Sequence, residues 1–216
     1  MPFTTRADFD QRLATRLEAV DAVFPDVIRT DYELNPEWRL PPETKFRKAA
    51  VLIGLFDRGD DYGVLLTLRP DTMPTHAGQV AFPGGRIEPG DASPLAAALR
   101  EAHEEVGVDP ATVIVKGQAD PYLTGTGFAI SPFIGVLPAG FSPVPHEREV
   151  AAVFETPLSF LMNPANHERH EREYKGVLRA YYAMPHNGRY IWGATAGMLK
   201  SLYDRLYGPE PQFEAR

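Results

Sequence analysis

Residues 82–108 read FPGGRIEPGDASPLAAALREAHEEVGV and combine a glycine-rich turn with an acidic segment of helical character. Ser93 is a favourable helix N-cap, Pro94 suits the first helical position, and Gly107 is placed to end the helix. This pattern predicts a helix over residues 94–106. At about 100° per residue, its apolar side chains share one face that packs on the core. These side chains are Leu95, Ala98, Leu99, Ala102 and Val106.

The acidic side chains of this helix fall on two different flanks. Glu101 and Glu105 lie one turn apart on the same flank, where like charges weaken a helix by a few tenths of a kcal/mol. Glu104 lies further round, one turn after Arg100, so we expect those two to pair and Arg100 to face away from Glu101. Helical geometry alone favours a solvated acidic face.

A divalent cation is the alternative explanation for the glutamate pair. Oxygen ligands without cysteine indicate Mg²⁺ or Mn²⁺. The neighbouring Gly84-Gly85 favours this alternative, because a backbone without side chains approaches a ligand closely.

Residues 85–108 resemble the Nudix box, G-x5-E-x7-R-E-U-x-E-E-x-G-U, in which U is aliphatic. The matching positions are Gly85, Arg100, Glu101, Glu104, Glu105, Gly107 and Val108. The sequence departs from the box in its first acidic residue, which is Asp91, and in the eight rather than seven residues before Arg100. It also has the small Ala102 at the first U position.

The longer spacing is similar to that of the coenzyme A pyrophosphatase branch of the family. An upstream signature of that branch, L-L-T-x-R-[SA]-x3-R-x3-G-x3-F-P-G-G, resembles residues 65–85. The matching residues are Leu65, Leu66, Thr67, Arg69, Gly78, Phe82, Pro83, Gly84 and Gly85. Pro70 replaces the small residue of the signature, and Pro74 replaces its second arginine.

The resemblance implies metal-binding roles for the acidic residues. Glu101 and Glu105 are expected to bind the metal, and Glu104 is either a further ligand or is held by Arg100. The carbonyl of Gly84 or Gly85 is a candidate to complete the ligand set. A further carboxylate from a distant loop is expected as ligand or base. The candidates are Glu147, Glu149 and Glu155, of which Glu149 is preferred because it precedes a predicted strand.

Substrate contacts are expected from residues around the glycine turn. Gly84, Gly85 and Arg86 are candidates, together with Arg69, which we expect to bind the 3′-phosphate of coenzyme A. For His76, a structural hydrogen bond and a substrate contact are equally open.

The resemblance implies hydrolysis of the diphosphate of coenzyme A or its derivatives to 3′,5′-ADP and 4′-phosphopantetheine or acyl-phosphopantetheine. One alternative is a Nudix hydrolase of ADP-ribose, NADH or another nucleoside diphosphate derivative. Another is a non-catalytic Nudix-fold nucleotide-binding regulator, which the presence of both Glu101 and Glu105 disfavours.

The order of the predicted elements favours an α+β fold with a mixed β-sheet between helices. Together with the resemblance, it predicts a Nudix-like α/β/α sandwich with an N-terminal helical arm that begins after Thr5. Strands are expected near residues 49–56, 64–69, 112–116, 128–137, 151–154 and 178–184, and helices near 157–162 and 195–207. The charged run 166–173, which contains His167 and His170, favours a solvated turn or helix end over a metal site.

The predicted domain organisation has three parts. Residues 1–45 form the helix and a Pro-rich linker that pack on the core, residues 46–208 form the Nudix hydrolase domain, and residues 209–216 form a tail.

Composition limits the class of protein and its partners. The 216 residues have no cysteine, which excludes a disulfide scaffold, a thiol nucleophile and a zinc-thiolate site. The net charge of −7 disfavours a nucleic-acid partner, so an anionic substrate requires local arginines or metal ions. We expect no secretory signal at the N-terminus, and the apolar runs are too short to span a bilayer. We therefore expect a cytoplasmic protein with a small-molecule nucleotide substrate and no membrane partner; a homodimer is left open.

Overall fold

The computed structural model describes residues 5–17, 29–38, 40–41, 43–72, 76–174 and 176–209. Parts of the Pro-rich linker, including Pro25 and Pro42, lie outside the described residues, as does Pro74.

The described chain alternates strands with a few helices. The helices are α1 Arg6–Arg16, α2 Pro94–Val106, α3 Leu158–Leu161 and α4 Ala194–Tyr207. The strands are β1 Arg29–Thr30, β2 Arg47–Asp57, β3 Tyr62–Leu68, β4 Val80–Ala81, β5 Gly84–Arg86, β6 Ile114–Gln118, β7 Tyr122–Leu123, β8 Phe128–Val136, β9 Ala152–Pro157, β10 Glu168–Tyr174, β11 Val177–His186 and β12 Arg189–Trp192. Short 3-10 helices cover Asp31–Glu33, Pro36–Trp38, Pro110–Thr112 and Pro164–Asn166.

Nine of these strands form a mixed sheet, and six of the nine lie side by side in the order β1-β7-β8-β2-β3-β4. The other three extend the sheet from this row, because β5 pairs with β2, β6 with β8 and β9 with β3. The pairs β2/β8 and β1/β7 are parallel. Strands β2 and β3 pair as a hairpin near the turn that joins them and then diverge, so that β4 pairs with β3 and β5 with β2. The glycine-rich turn therefore lies where the two long strands separate.

Helices cover both faces of the large sheet. Alternate residues of β2 point to opposite faces, as in any strand. Ala50 packs in a cluster with Ala98 of α2, whereas Val51 packs in a cluster with Phe9 of α1 and Leu199 of α4. The α+β fold with a mixed sheet between helices is thus confirmed, whereas the division into three parts stays a prediction. None of the helices in the described ranges is long and apolar enough to cross a membrane.

The helix that carries the acidic residues has the predicted bounds. The hydroxyl of Ser93 accepts a hydrogen bond from the Ala96 amide at 3.1 Å, which caps the first turn. Gly107 ends the helix with φ 76°, a left-handed conformation that favours glycine. These local signals position both ends of α2.

The prediction of a turn or helix end over residues 166–173 was wrong. Most of this run forms β10, which pairs with β11 in a separate three-stranded sheet. Its side chains alternate between charged types rather than between apolar and polar ones, so the sequence lacks the usual strand pattern. Charged side chains on an edge strand such as β10 protect it from pairing with other chains.

Candidate active site

The glutamate flank of α2 lies against the backbone of β5. The Gly84 amide donates a hydrogen bond to Oε2 of Glu105 at 3.3 Å, and Glu105 is only 4% exposed. A Cβ atom at Gly85 would lie 2.5 Å from the carboxyl carbon of Glu101. The sequence predicted that these glycines make room for a ligand. The structure shows that Gly85 makes room for the carboxylate of Glu101, whereas a Cβ atom at Gly84 would lie against Ala50 and Val51 of β2.

Burial makes both carboxylates of the pair harder to ionise. Loss of hydration raises the pKa of Glu105 to about 8, and the charges of Glu101 and Glu149 act in the same direction. The Gly84 amide and the positive charge of Arg69 oppose this shift. Burial also raises the pKa of Glu101, although Arg100 opposes the shift. A cation bound beside the pair would favour the ionised form of both carboxylates.

Arg100 holds three carboxylates at once. Its Nε and Nη2 donate to the two oxygens of Asp91 at 2.9 and 3.1 Å, and its Nη1 lies 3.0 Å from both Glu101 and Glu104. Nη2 also donates to the carbonyl of Arg86 at 3.2 Å. The pairing with Glu104 is confirmed, but the expectation that Arg100 faces away from Glu101 was wrong, because a long guanidinium group spans both flanks of the helix.

Sequence reasoning missed the part that Asp91 plays. Its hydrogen bonds with Arg100 lower the pKa of Asp91 and raise that of Arg100. The signal was present, since Asp91 occupies the first acidic position of the box. The extra residue before Arg100 still allows the carboxylate to meet the guanidinium edge-on.

Arg69 is close enough to Glu105 to affect its ionisation. Among the residues that the structure describes, the buried Nε of Arg69 has no hydrogen-bond partner. An orphaned, buried N–H group is costly unless a ligand supplies an acceptor. The structure therefore places Arg69 on the same side as the glutamate pair.

His76 and Arg86 are both exposed, in contrast to the buried Nε of Arg69. His76 has φ 59°, is exposed, and its Nδ1 lies 2.8 Å from Oε1 of Gln79, which is the structural hydrogen bond considered for it. Arg86 is exposed, and its guanidinium carbon lies 5.9 Å from the ring centre of Phe128.

The loop carboxylates separate into two groups. Glu149 is 45% exposed and raises the pKa of both glutamates of the pair. Its segment is tied to the end of α2, because the His146 amide donates to the carbonyl of Glu105 at 2.9 Å. Glu147 is an exposed residue of the same segment. Glu155 instead bonds Arg58 at 2.9 Å on β9 and is not brought to the pair.

The carboxylates of the site suit a hard divalent cation whose remaining ligands are waters and substrate oxygens. In the described ranges, no three carboxylate or imidazole side chains are gathered closely enough to hold a metal ion by themselves. Glu101 and Glu105 supply two carboxylates, whereas Glu104 is engaged with Arg100. Mg²⁺ is commonly bound through one or two carboxylates together with waters and substrate phosphates. The site therefore fits such an ion.

The raised pKa of Glu105 predicts how the metal-free protein responds to pH. Between about pH 4.5 and 8, the folded chain keeps a proton on Glu105 that the unfolded chain has released. The free energy of unfolding is therefore expected to fall as the pH rises through this window. Glu105→Gln should flatten this dependence and exceed the wild type in stability at about pH 9.

Urea denaturation in EDTA at several pH values measures this effect. Glu155→Gln, which alters a more exposed carboxylate, is the control and should keep the wild-type slope. A wild-type stability that does not fall through the window would contradict the burial argument.

Comparison with known proteins identifies the family. The NUDIX domain family matches residues 45–182. The chain is 42% identical over 156 residues to the uncharacterized Nudix hydrolase NudL of Enterobacter sp. (strain 638), covering 72% of this chain and 81% of that protein. It is 40% identical over 156 residues to NudL of Escherichia coli (strain SMS-3-5 / SECEC), with the same coverage.

A solved structure with broad coverage is that of a MutT/nudix family protein from Enterococcus faecalis. It covers 94% of this chain and 74% of that protein, at 15% identity and a TM-score of 0.47. A similarity this low supports no comparison of the two sites. The family match and the close NudL relatives carry the assignment: the chain belongs to the Nudix family of hydrolases.

Proposed function

We propose that this Nudix pyrophosphohydrolase, which acts on nucleoside diphosphate derivatives, cleaves the diphosphate of coenzyme A or an acyl-coenzyme A. The products would be 3′,5′-ADP and 4′-phosphopantetheine or its acyl form. The proposal rests on the signature over residues 65–85, which spans β3, the loop after it, and strands β4 and β5.

The observation that carries the proposal is the environment of the signature arginine, Arg69. Its buried Nε lacks an acceptor among the described residues. Its positive charge lowers the pKa of Glu105. A diphosphate oxygen is a strong acceptor for a guanidinium group. A diphosphate bound beside Arg69 would therefore supply the missing acceptor, and a divalent ion would offset the negative charges of the diphosphate and the glutamate pair.

The divalent ion is held by Glu101 and Glu105 in this proposal, with Mg²⁺ or Mn²⁺ preferred because all the donors are oxygens. When bound, such an ion neutralises developing charge on the phosphate and promotes ionisation of a bound water. Arg100 fixes the carboxylate of Glu101 and keeps Glu104 beside it. The exposed Glu149, on a segment tied to α2, is the candidate to accept the proton of the attacking water.

Removing either carboxylate of the pair tests this assignment. Glu101→Gln and Glu105→Gln are each expected to lower kcat by at least ~10²–10⁴-fold, the range typical of losing a catalytic base. Steady-state kinetics at saturating Mg²⁺ measure the effect. Glu155→Gln, which removes the same charge from β9, should retain wild-type turnover, and near-normal rates for both pair variants would refute the assignment.

Arg100→Ala is expected to act through the carboxylates it holds. The loss should raise the Mn²⁺ concentration required for half-maximal activity by about 10–100-fold, as for other groups that orient metal ligands. Asp91→Asn should show a weaker form of the same change, whereas Arg58→Ala, which frees Glu155 instead, should show none. An unchanged metal requirement with a lowered kcat would indicate a different role.

The substrate is tested with a panel of coenzyme A, ADP-ribose, NADH and capped dinucleotides. Initial rates with Mg²⁺ or Mn²⁺ give kcat/KM for each compound. We expect coenzyme A or its acyl derivatives to have the highest value. A clear preference for ADP-ribose would overturn the coenzyme A proposal and leave the family assignment intact.

A further inference from the structure

We propose that Arg47 and Arg86, which share the ring of Phe128, form a subsite for a phosphomonoester group of the substrate. The naming of this group as the 3′-phosphate of coenzyme A rests on the proposed function. The subsite itself is argued from the geometry of β2, β5 and β8.

The guanidinium groups of both arginines lie close to the ring of Phe128. The guanidinium carbon of Arg47 lies 3.8 Å from the ring centre of Phe128, and that of Arg86 lies 5.9 Å from it. Nη2 of Arg47 also donates to the carbonyl of Thr126 at 2.8 Å. Strand register places them there, because Arg47 is opposite Phe128 and Arg86 is opposite Ala49.

Within the described residues, Arg47 and Arg86 lack the carboxylate partners that Arg100 has. Both are exposed, and within the described residues neither forms an ion pair with a carboxylate. Two positive charges close to one ring repel each other, and an anion bound by both would offset that repulsion. Guanidinium groups bind phosphate oxygens in pairs of hydrogen bonds, which makes a phosphate the fitting ligand.

The subsite lies on the opposite face of the sheet from the glutamate pair. Ala50 packs on α2, so its neighbour Ala49 and the paired Arg86 point to the other face. Glu101, in contrast, meets Gly85 on the α2 side. Arg86 and Glu101 therefore lie on opposite sides of β5. If the diphosphate of the substrate binds at Glu101, the group that binds at Arg86 must be another part of the same substrate.

This placement changes the assignment of Arg69. The sequence predicted that Arg69 binds the 3′-phosphate, but Arg69 lies beside Glu105, with the groups proposed to bind the scissile diphosphate. The phosphomonoester is then left to the pair on Phe128. In a chain of net charge −7, such an anion subsite has to be built from local cations.

The test measures equilibrium binding of two probes, adenosine 3′,5′-bisphosphate and AMP, by calorimetry. The wild type should bind the bisphosphate about tenfold or more tightly than AMP, as expected for one charge-assisted hydrogen bond. Arg47→Ala should bring the two affinities to within about twofold, and Arg47→Lys should be intermediate because it keeps the charge but not the fork.

Lys116→Ala is the matched control, since it removes one exposed positive charge from β6, which pairs with the end of β8 opposite to Phe128. It should preserve the preference. Arg86→Ala is a second variant, which decides the matter if Arg47→Ala does not fold. Equal affinities in the wild type, or equal losses in the Arg47 and Lys116 variants, would overturn the subsite.

The two proposals fail separately. A preference for the bisphosphate that depends on Arg47, in an enzyme that does not cleave coenzyme A, would overturn the proposed substrate and support the subsite. Cleavage of coenzyme A without such a preference would overturn the subsite and support the substrate.

Discussion

Helix α2 buries the Glu105 carboxylate against the backbone amide of Gly84, and this contact depends on how the helix packs on the sheet. Ala97, Ala98 and Ala102 are fully buried, and their small size lets the helix approach the sheet closely. The small residue at position 102 departs from the Nudix pattern, and here it is buried in a cluster with Leu52 and Leu65 of the sheet. Close packing of the helix thus forces the carboxylate into a desolvated position.

The excess of carboxylates over nearby positive charges explains why this arrangement favours a cation. Arg100 is shared among Asp91, Glu101 and Glu104, so one positive charge faces three negative ones. Glu105 adds a buried carboxyl group whose nearest described support is a backbone amide. A hard divalent ion stabilises such a cluster, and a diphosphate stabilises the ion in turn. The mutual repulsion of these carboxylates therefore favours binding of a metal ion together with a phosphate substrate.

Helix α2 and the glutamate pair were predictable because they depend on a short stretch of sequence. The capping residues Ser93 and Gly107 set the ends of the helix, and the helical period sets which side chains share a flank. Contacts between distant parts of the chain were not predictable in this way. Arg47 meets Phe128 only because β2 and β8 pair in parallel at one particular register. The strand β10 was missed because its alternating charges give no apolar face, and the reach of Arg100 exceeded what helical position alone indicates.

Direct titration of Mn²⁺ into the metal-free protein, followed by calorimetry, tests most directly whether the glutamate pair is the metal site. The wild type should show binding that weakens by at least about tenfold in Glu105→Gln, since losing a ligand should cost no less than losing a group that orients one. Glu155→Gln should bind as the wild type does. Equal Mn²⁺ affinity in the wild type and Glu105→Gln would contradict the central claim.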